Sequence, residues 1–322
     1  MRMIRVAVVM LCVVWGLSAI ASADALPDGR GPWDSGTYEV KLRDEARNRS
    51  MELLVLYPLE REGAVQSRPL VLFNHGFLLS SLGYRSYGEH LASHGFVVAL
   101  PSLPTSFLSV HHAKLAADIH FVINYLLASS EDTTHPLFGR IDPTRIGASG
   151  HSLGGKLSLL EAVTDPRIDA IGVLDPVDEG NPLWEDPVRY PSVAPELMPE
   201  LSIPLLFIGA ELGSILVTFS PCAPADENYQ QFFDAATSSA IEVTQLDVGH
   251  SQYVDEEAAD ETDPCARGDV PSAWVRSSSV AYLTAFFLGH LMDSQDALCW
   301  LDERLALDEA EARILVRRKP TD

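Results

Sequence analysis

The nine residues SGHSLGGKL, from Ser149 to Leu157, fit two patterns that serve different chemistry. Residues 150–154 fit G-x-S-x-G, a sharp turn that presents a nucleophilic serine, and residues 150–156 fit G-x-x-x-x-G-K, the beginning of a phosphate-binding loop. A phosphate-binding loop needs Ser or Thr directly after its lysine to hold Mg²⁺, but here Leu157 follows Lys156. The residues therefore favour the serine turn, and nucleotide binding is the weaker alternative.

The segments on both sides of this turn support the serine interpretation. A strand-like stretch, RIGASG, leads into the turn, and a helix-like stretch, LGGKLSLLEAV, leaves it. A turn this sharp accepts only small neighbours around the serine, and Gly150 and Gly154 meet that requirement. We predict that Ser152 is a nucleophile presented by this turn. The alternative is an ordinary glycine-rich turn between a strand and a helix.

A serine hydroxyl is a weak nucleophile until a histidine accepts its proton, and an acid must orient that histidine. His250 follows the strand-like segment IEVTQLD and is the only histidine between Ser152 and His290. We predict that His250 is the base. Two acids, Asp175 and Glu211, each end an apolar strand-like segment. Asp175 is favoured because a carboxylate at such a strand end would be costly without a partner.

Acyl transfer also needs backbone N–H groups that bind the developing oxyanion. One donor is expected from Leu153, which directly follows the predicted nucleophile. The second is expected from Phe77, because the HGF segment after the strand-like PLVLFNH has the form of an oxyanion loop. A core position is the alternative for Phe77.

No metal site or cofactor is predicted. The candidate metal ligands are histidines at i, i+4 spacing or grouped near one helix, and none has a complete ligand set nearby in the sequence: His90, His94, His111, His112 and His120. Trp184 either covers a hydrophobic substrate or anchors its own loop.

Apolar strand-like segments alternate with helical ones after an opening pair of strands, a pattern typical of a mostly parallel sheet with helices on both faces. We therefore predict an α/β fold in a single domain over residues 24–322. Residues 176–200 are rich in proline and acidic residues and are expected to form an irregular loop over the strand ends.

The N-terminus has the form of a secretory signal peptide. Arg2 and Arg5 precede a short apolar run that ends in the A-x-A pattern of residues 21–23, which predicts cleavage after Ala23. The run is short for a membrane span, so an uncleaved anchor is the weaker alternative. We expect a secreted or periplasmic protein with no stable membrane insertion after residues 1–23 are removed.

Charge and cysteine placement are consistent with export. The chain has 23 basic and 45 acidic residues, a net charge of −22, which disfavours nucleic acid and anionic membranes as partners. Cys222 and Cys265 lie in proline-containing loops on either side of His250. Outside the cytosol a bridge between them would pin that segment, although spacing alone does not determine connectivity.

Six segments, in order, resemble chlorophyllases and their bacterial relatives over residues 68–290: LFNHGFLLSS, LASHGFVVALP, SGHSLGGK, IGVLDPVD, PCAPADENYQQFF and DVGHSQYVD. The resemblance implies an α/β-hydrolase fold, no cofactor, and a catalytic triad of Ser152, Asp175 and His250. It places the acid in the DPV segment that begins at Asp175. Secreted cutinases resemble the chain more distantly; their acid follows the next strand, where this chain has Gly213.

One departure from the family bears on the substrate. Plant chlorophyllases have arginine after the nucleophile, whereas this chain has Leu153, which preserves a backbone N–H but no guanidinium contact. We therefore expect a secreted serine carboxylic ester hydrolase that acts on small or polymeric esters with a hydrophobic alcohol or acyl part. The alternatives are a chlorophyllase proper, a cutinase or polyester hydrolase, and a non-catalytic binding module with this fold.

Overall fold

The computed structural model describes residues 26–60, 63–106, 110–180, 186–217, 220–258 and 264–320. The predicted signal peptide and Trp184 lie outside these residues.

The described residues form nine strands and six α-helices. The strands are β1 (Asp34–Asp44), β2 (Arg49–Leu59), β3 (Arg68–Asn74), β4 (Val97–Ser102), β5 (Ile141–His151), β6 (Ile168–Leu174), β7 (Leu205–Ala210), β8 (Ala240–Gln245) and β9 (Ile314–Lys319). The helices are α1 (Arg85–Ser93), α2 (His112–Glu131), α3 (Leu153–Thr164), α4 (Tyr229–Ala235), α5 (Ser272–Leu291) and α6 (Gln295–Ala310).

These strands form one sheet in the order β1-β2-β4-β3-β5-β6-β7-β8-β9. The strands from β4 across to β8 pair in parallel, whereas β1, β2 and β9 pair antiparallel at the two edges. Parallel strands are joined by helical crossovers that cover the faces of the sheet, which explains their continuous apolar sequences. The α/β prediction is confirmed.

The two faces of the sheet bury two separate apolar cores. Helices α2, α3 and α4 pack on one face of the sheet. They contribute Ile119, Leu157 and Phe232, among others, to the core on that face. Helices α1, α5 and α6 pack on the other face, with Leu91 and Phe286 among the buried residues. Burial of this kind stabilises by about 25 cal/mol per Å² of apolar surface and holds the strand ends in place. In the described residues, no helix is both long enough and apolar enough to span a bilayer.

The sequence analysis did not identify α4, α6 or β9. Strand β9 has the sequence ILVRRK, and its consecutive basic residues do not alternate in the way that indicates a half-buried strand. The tertiary structure supplies the reason for them, because Arg317 Nε donates to Glu242 Oε1 at 2.8 Å and neutralises a carboxylate buried within β8. Edge strands commonly tolerate such charged residues.

The loop between β6 and β7 contains one short 3₁₀ helix, Met198–Glu200, and no strand or α-helix in its described residues, 176–180 and 186–200. The Asp178 carboxylate holds two parts of this loop together, since it accepts hydrogen bonds from the backbone N–H groups of Val193 and Ala194 at 2.9 and 2.8 Å. The loop is thereby ordered without regular secondary structure of its own.

The cysteine pairing expected from the sequence is present. Cys222 and Cys265 form a disulfide that joins positions 43 residues apart. The segment after Cys265 packs directly on the turn before His250, because a Cβ on Gly249 would lie 1.8 Å from the carbonyl oxygen of Ala266. The disulfide therefore restrains a segment that abuts the His250 turn.

We predict that the double substitution Cys222→Ser with Cys265→Ser lowers the free energy of unfolding by about 4 kcal/mol, the loop-entropy value for a closed loop of this length. Urea unfolding of the purified proteins measures the difference. Reduction of the wild-type protein should lower its free energy of unfolding by a similar amount. A decrease below about 1 kcal/mol in both the double variant and the reduced wild type would show that the disulfide does not restrain the chain.

Candidate active site

The turn between β5 and α3 holds Ser152 in a strained backbone conformation, with φ of 55° and ψ of −124°. Two close backbone approaches explain the glycines on either side. A Cβ on Gly154 would lie 2.1 Å from the carbonyl oxygen of Asn74, and one on Gly150 would lie 2.6 Å from the carbonyl carbon of Gly154. Only glycine fits at both positions. The turn therefore projects the Ser152 side chain from the carboxyl end of the sheet.

The structure brings Ser152, His250 and Asp175 together. The distance from His250 Nε2 to Ser152 Oγ is 2.9 Å, and that from His250 Nδ1 to Asp175 Oδ2 is 2.7 Å. Each is a hydrogen-bonding distance. Asp175 is fully buried, His250 is buried, and Ser152 is partly exposed, so solvent and a substrate reach the serine first. This arrangement can pass a proton from the hydroxyl to the imidazole.

Asp175 follows β6, and its environment stabilises the carboxylate. Its Oδ1 accepts a hydrogen bond from the backbone N–H of Ala210 at 3.2 Å, while its other oxygen faces His250. The second candidate acid, Glu211, lies elsewhere: its Oε2 accepts a hydrogen bond from the backbone N–H of Asp247 at 2.8 Å. A Cβ on Gly213 would approach Asp175 Oδ2 to 2.9 Å, so a side chain at position 213 would crowd the Asp175 carboxylate.

The two expected oxyanion donors belong to segments that flank Ser152. Leu153 is the first residue of α3, and the first N–H groups of a helix have no acceptor within that helix. The loop after β3 lies against the serine, because a Cβ on Gly76 would be 3.3 Å from Ser152 Cβ. Phe77 is the next residue of that loop, and its ring packs against the apolar core. An oxyanion beside Ser152 would thus lie between a loop and a helix N-terminus.

Exposed apolar side chains continue from two of the segments that form the site. Leu78 and Leu82 follow Phe77 and are 45% and 58% exposed. Residues 215–217 follow Gly213, and all three side chains are at least half exposed. Large apolar side chains that stay exposed to water in neighbouring segments are typical of a surface that binds an apolar partner.

Lys156, which raised the alternative of a phosphate-binding loop, is fully buried. Its Nζ donates to the backbone oxygen of Asp178 at 2.8 Å and lies 3.0 Å from Asp178 Oδ1. Burial lowers the pKa of Lys156 against the opposing effect of Asp178. The lysine therefore ties the helix after Ser152 to the segment after Asp175, and its ammonium group does not face an open loop.

The other histidines make contacts within the protein. The Nε2 atoms of His90 and His94 each lie 2.9 Å from a backbone oxygen, that of Pro27 and that of Gly29 respectively, so these two side chains hold the N-terminal segment. His112 packs edge-on against Tyr190, and burial lowers its pKa to about 3. His111 is partly exposed beside it.

His120 belongs to a group of three potential metal ligands. Its Nδ1 lies 2.9 Å from Glu161 Oε1 and 3.0 Å from Asp165 Oδ2. Arg167 Nε also donates to Asp165 Oδ1 at 2.7 Å. Burial and the neighbouring Asp165 raise the pKa of Glu161 to about 8. His120, Glu161, Asp165 and Arg167 therefore form a hydrogen-bonded ionic cluster between α2 and α3.

His151 is a residue that the sequence analysis passed over. It occupies the first variable position of G-x-S-x-G, yet it is buried directly beneath His250, with ring centroids 4.5 Å apart. Its Nε2 lies 2.9 Å from the backbone oxygen of His250. The sequence signal for this role was the histidine itself, inside the turn motif, because a buried imidazole requires hydrogen-bonding partners.

We predict that Lys156→Met lowers the free energy of unfolding by about 3–5 kcal/mol, because removing one partner leaves the buried Asp178 carboxylate without its cation. Denaturant unfolding measures the loss. Lys114→Met is the matched control: Lys114 is exposed on α2, and its substitution should change stability by less than about 0.5 kcal/mol. Equal losses in the two variants would contradict the assigned role of the ion pair.

Comparison with known proteins finds relatives among chlorophyllases and cutinases. Chlorophyllase-2 of Arabidopsis thaliana is 27% identical over 259 residues, which cover 75% of this chain and 79% of that protein. Cutinase est1 of Thermobifida alba is 27% identical over 187 residues, 58% of this chain and 52% of the cutinase.

A ferulic acid esterase from Streptomyces cinnamoneus has the same fold, with a TM-score of 0.58 at 21% identity over 84% of this chain and 93% of the esterase. The mostly parallel sheet covered by helices is that of an α/β-hydrolase. The protein is a carboxylic ester hydrolase. The sequence model of the chlorophyllase family matches residues 27–303, and the chain therefore belongs to the chlorophyllase family.

Proposed function

We propose that the protein hydrolyses carboxylic esters through an acyl-enzyme on Ser152, with His250 as general base and acid and Asp175 as the orienting acid. The observation that carries the proposal is the continuous series of contacts from Ser152 Oγ through the His250 ring to Asp175, at 2.9 and 2.7 Å. All three belong to different segments of the chain, and a chance meeting of these residue types in this order would be rare.

In the proposed mechanism, Ser152 Oγ attacks the ester carbonyl carbon while His250 Nε2 takes the hydroxyl proton. Asp175 holds the other nitrogen, Nδ1, protonated and stabilises the imidazolium that forms. The alcohol leaves with the proton from His250, and the acyl group remains on Ser152. Water then repeats the sequence and releases the carboxylic acid.

The backbone N–H groups of Leu153 and Phe77 are proposed to bind the carbonyl oxygen as it becomes an oxyanion. Each such donor is worth about 10²–10³ in rate, because it is already aimed at the charge before the reaction begins. The role requires only backbone atoms, so leucine after the nucleophile can serve as well as the arginine of plant chlorophyllases.

We further propose that the substrate has a hydrophobic acyl or alcohol part. Leu78, Leu82 and the exposed apolar residues 215–217 extend from the two segments next to the site and offer such a group an apolar surface. The relatives support the same class, since both chlorophyllases and cutinases are among them.

We also propose that the protein is exported. The N-terminal sequence has the form of a cleavable signal, and the Cys222–Cys265 disulfide is of the kind that persists in oxidising compartments. The negative net charge would keep such a protein soluble outside the cell.

We predict that Ser152→Ala lowers kcat on p-nitrophenyl octanoate by about 10⁴-fold or more without changing the unfolding midpoint, because the acyl acceptor is lost. Ser277→Ala, an exposed serine on α5, is the control and should keep wild-type kinetics. A fluorophosphonate should label the wild type and not Ser152→Ala. Near-normal turnover by the alanine variant would refute the proposal, and a folded wild type that neither turns over ester nor reacts would indicate a binding module.

We predict that Asp175→Asn lowers kcat by about 10³–10⁴-fold, because an amide cannot stabilise the imidazolium and favours the wrong tautomer of His250. The matched control is Glu211→Gln, which changes the other candidate acid and should leave kcat within about twofold, since Glu211 bonds only a surface amide. Ester hydrolysis under identical conditions measures both. The reverse result would assign the acid to Glu211.

A further inference from the structure

The buried imidazole of His151 connects the His250 segment to a second polar group. Besides the 2.9 Å contact from its Nε2 to the His250 backbone oxygen, its Nδ1 lies 2.6 Å from the hydroxyl of Tyr84. The ring is 1% exposed and packs among three other rings, those of Tyr84, His250 and Tyr253. No part of it is available to a substrate.

These contacts allow one arrangement of hydrogens. A carbonyl oxygen can only accept, so His151 Nε2 carries the hydrogen and donates it to the His250 oxygen. Burial, and next the nearby His250, hold the pKa of His151 well below its usual range, so the ring is neutral. Its Nδ1 therefore accepts, and the Tyr84 hydroxyl is the donor.

Tyr84 in turn meets the loop that carries the proposed oxyanion donor Phe77. Burial raises the pKa of Tyr84, and a hydrogen bond from the backbone N–H of Gly76 acts against that rise. A Cβ on Gly76 would also lie 3.4 Å from His151 Nδ1, so this loop touches the imidazole as well.

His75 fixes the other side of Gly76. The backbone N–H of Leu103 donates to His75 Nε2 at 2.8 Å, which leaves His75 Nδ1 to donate to the Gly76 oxygen, also at 2.8 Å. The Gly76 oxygen is thereby held by a buried side chain.

We propose that Tyr84 and His151 are positioning residues that set the His250 backbone and the Gly76–Phe77 loop at a fixed separation. The proposal rests on the proposed function, since it assigns these residues an effect on a reaction at Ser152. The chain runs from the Tyr84 hydroxyl, through the His151 ring, to the His250 carbonyl, and Tyr84 ends the 3₁₀ helix Ser81–Tyr84, which follows the Gly76–Phe77 loop. One buried series of hydrogen bonds thus links the His250 backbone to the segment that continues from this loop.

The physical basis is the cost of breaking such a series. A buried carbonyl or imidazole nitrogen left without a partner is unfavourable, so the segment moves to recover one. His250 lies 2.9 Å from Ser152 Oγ, and a movement of 1 Å from the productive geometry can cost about 10²-fold in rate. The expected signature is a fall in kcat with little change in KM, because neither residue contacts a substrate.

The test compares variants that keep or remove the hydrogen-bonding atoms at position 151. His151→Phe keeps a flat ring but removes both nitrogens, and it should lower kcat by about 10²-fold at nearly constant KM. His151→Gln carries a donor and an acceptor with a spacing similar to that of the ring nitrogens, and it should recover most of that loss. p-Nitrophenyl octanoate kinetics and thermal unfolding are measured for each protein.

Two tyrosines supply a matched pair that does not alter the imidazole. Tyr282 is as buried as Tyr84, and its hydroxyl donates to Asp308 Oδ2 at 2.6 Å, a bond that joins α5 to α6 and does not involve the His250 turn. Tyr84→Phe should lower kcat by about tenfold, the effect of one lost hydrogen bond, while Tyr282→Phe should stay within about twofold of wild type.

Rescue by glutamine together with a larger kcat loss for Tyr84→Phe than for Tyr282→Phe supports the proposal. It is overturned if His151→Gln is as impaired as His151→Phe, or if the two tyrosine variants lose kcat equally. Should His151→Phe fail to fold, the tyrosine pair decides. Failure of the proposed function is a separate result, because it appears as activity retained by Ser152→Ala.

Discussion

The close approach of two backbone segments beneath Ser152 is the constraint on which the rest of the site depends. The end of β3 lies so near the first turn of α3 that any side chain at position 154 would overlap the Asn74 carbonyl. Ser152 adopts a positive φ in the turn beside this contact. It also places the N-terminus of α3 and the loop after β3 on two sides of one hydroxyl.

Two pairs of buried polar groups around the turn connect different loops. Lys156 joins α3 to Asp178 in the segment after the proposed acid, and the Asp178 carboxylate extends the connection to residues 193 and 194. On the other side of the nucleophile, His151 joins the His250 turn to Tyr84. Unpaired, these groups would be costly to bury, so each pair specifies one arrangement of loops that could otherwise shift.

Gly213 shapes the space beside the proposed acid. A Cβ at position 213 would lie 2.9 Å from Asp175 Oδ2 and 3.1 Å from Ala223 Cβ, so a side chain there would crowd the carboxylate that faces His250. A residue after β7 thereby affects a contact made by a residue after β6, because the ends of these neighbouring parallel strands lie side by side.

Local sequence determined the elements that depend on local rules: the turn at Ser152, the apolar parallel strands, and an α/β fold with the proposed nucleophile, acid and base in that order along the chain. It favoured Asp175 over Glu211, but both end apolar strands, and only the folded chain shows which carboxylate faces His250. Strand β9 and the roles of Lys156 and His151 depend on partners 22 to 99 residues distant in sequence. Spacing and hydrophobic pattern do not indicate such partners. A buried polar contact between distant segments forms only when the chain packs, and the residues next to it in sequence do not specify it.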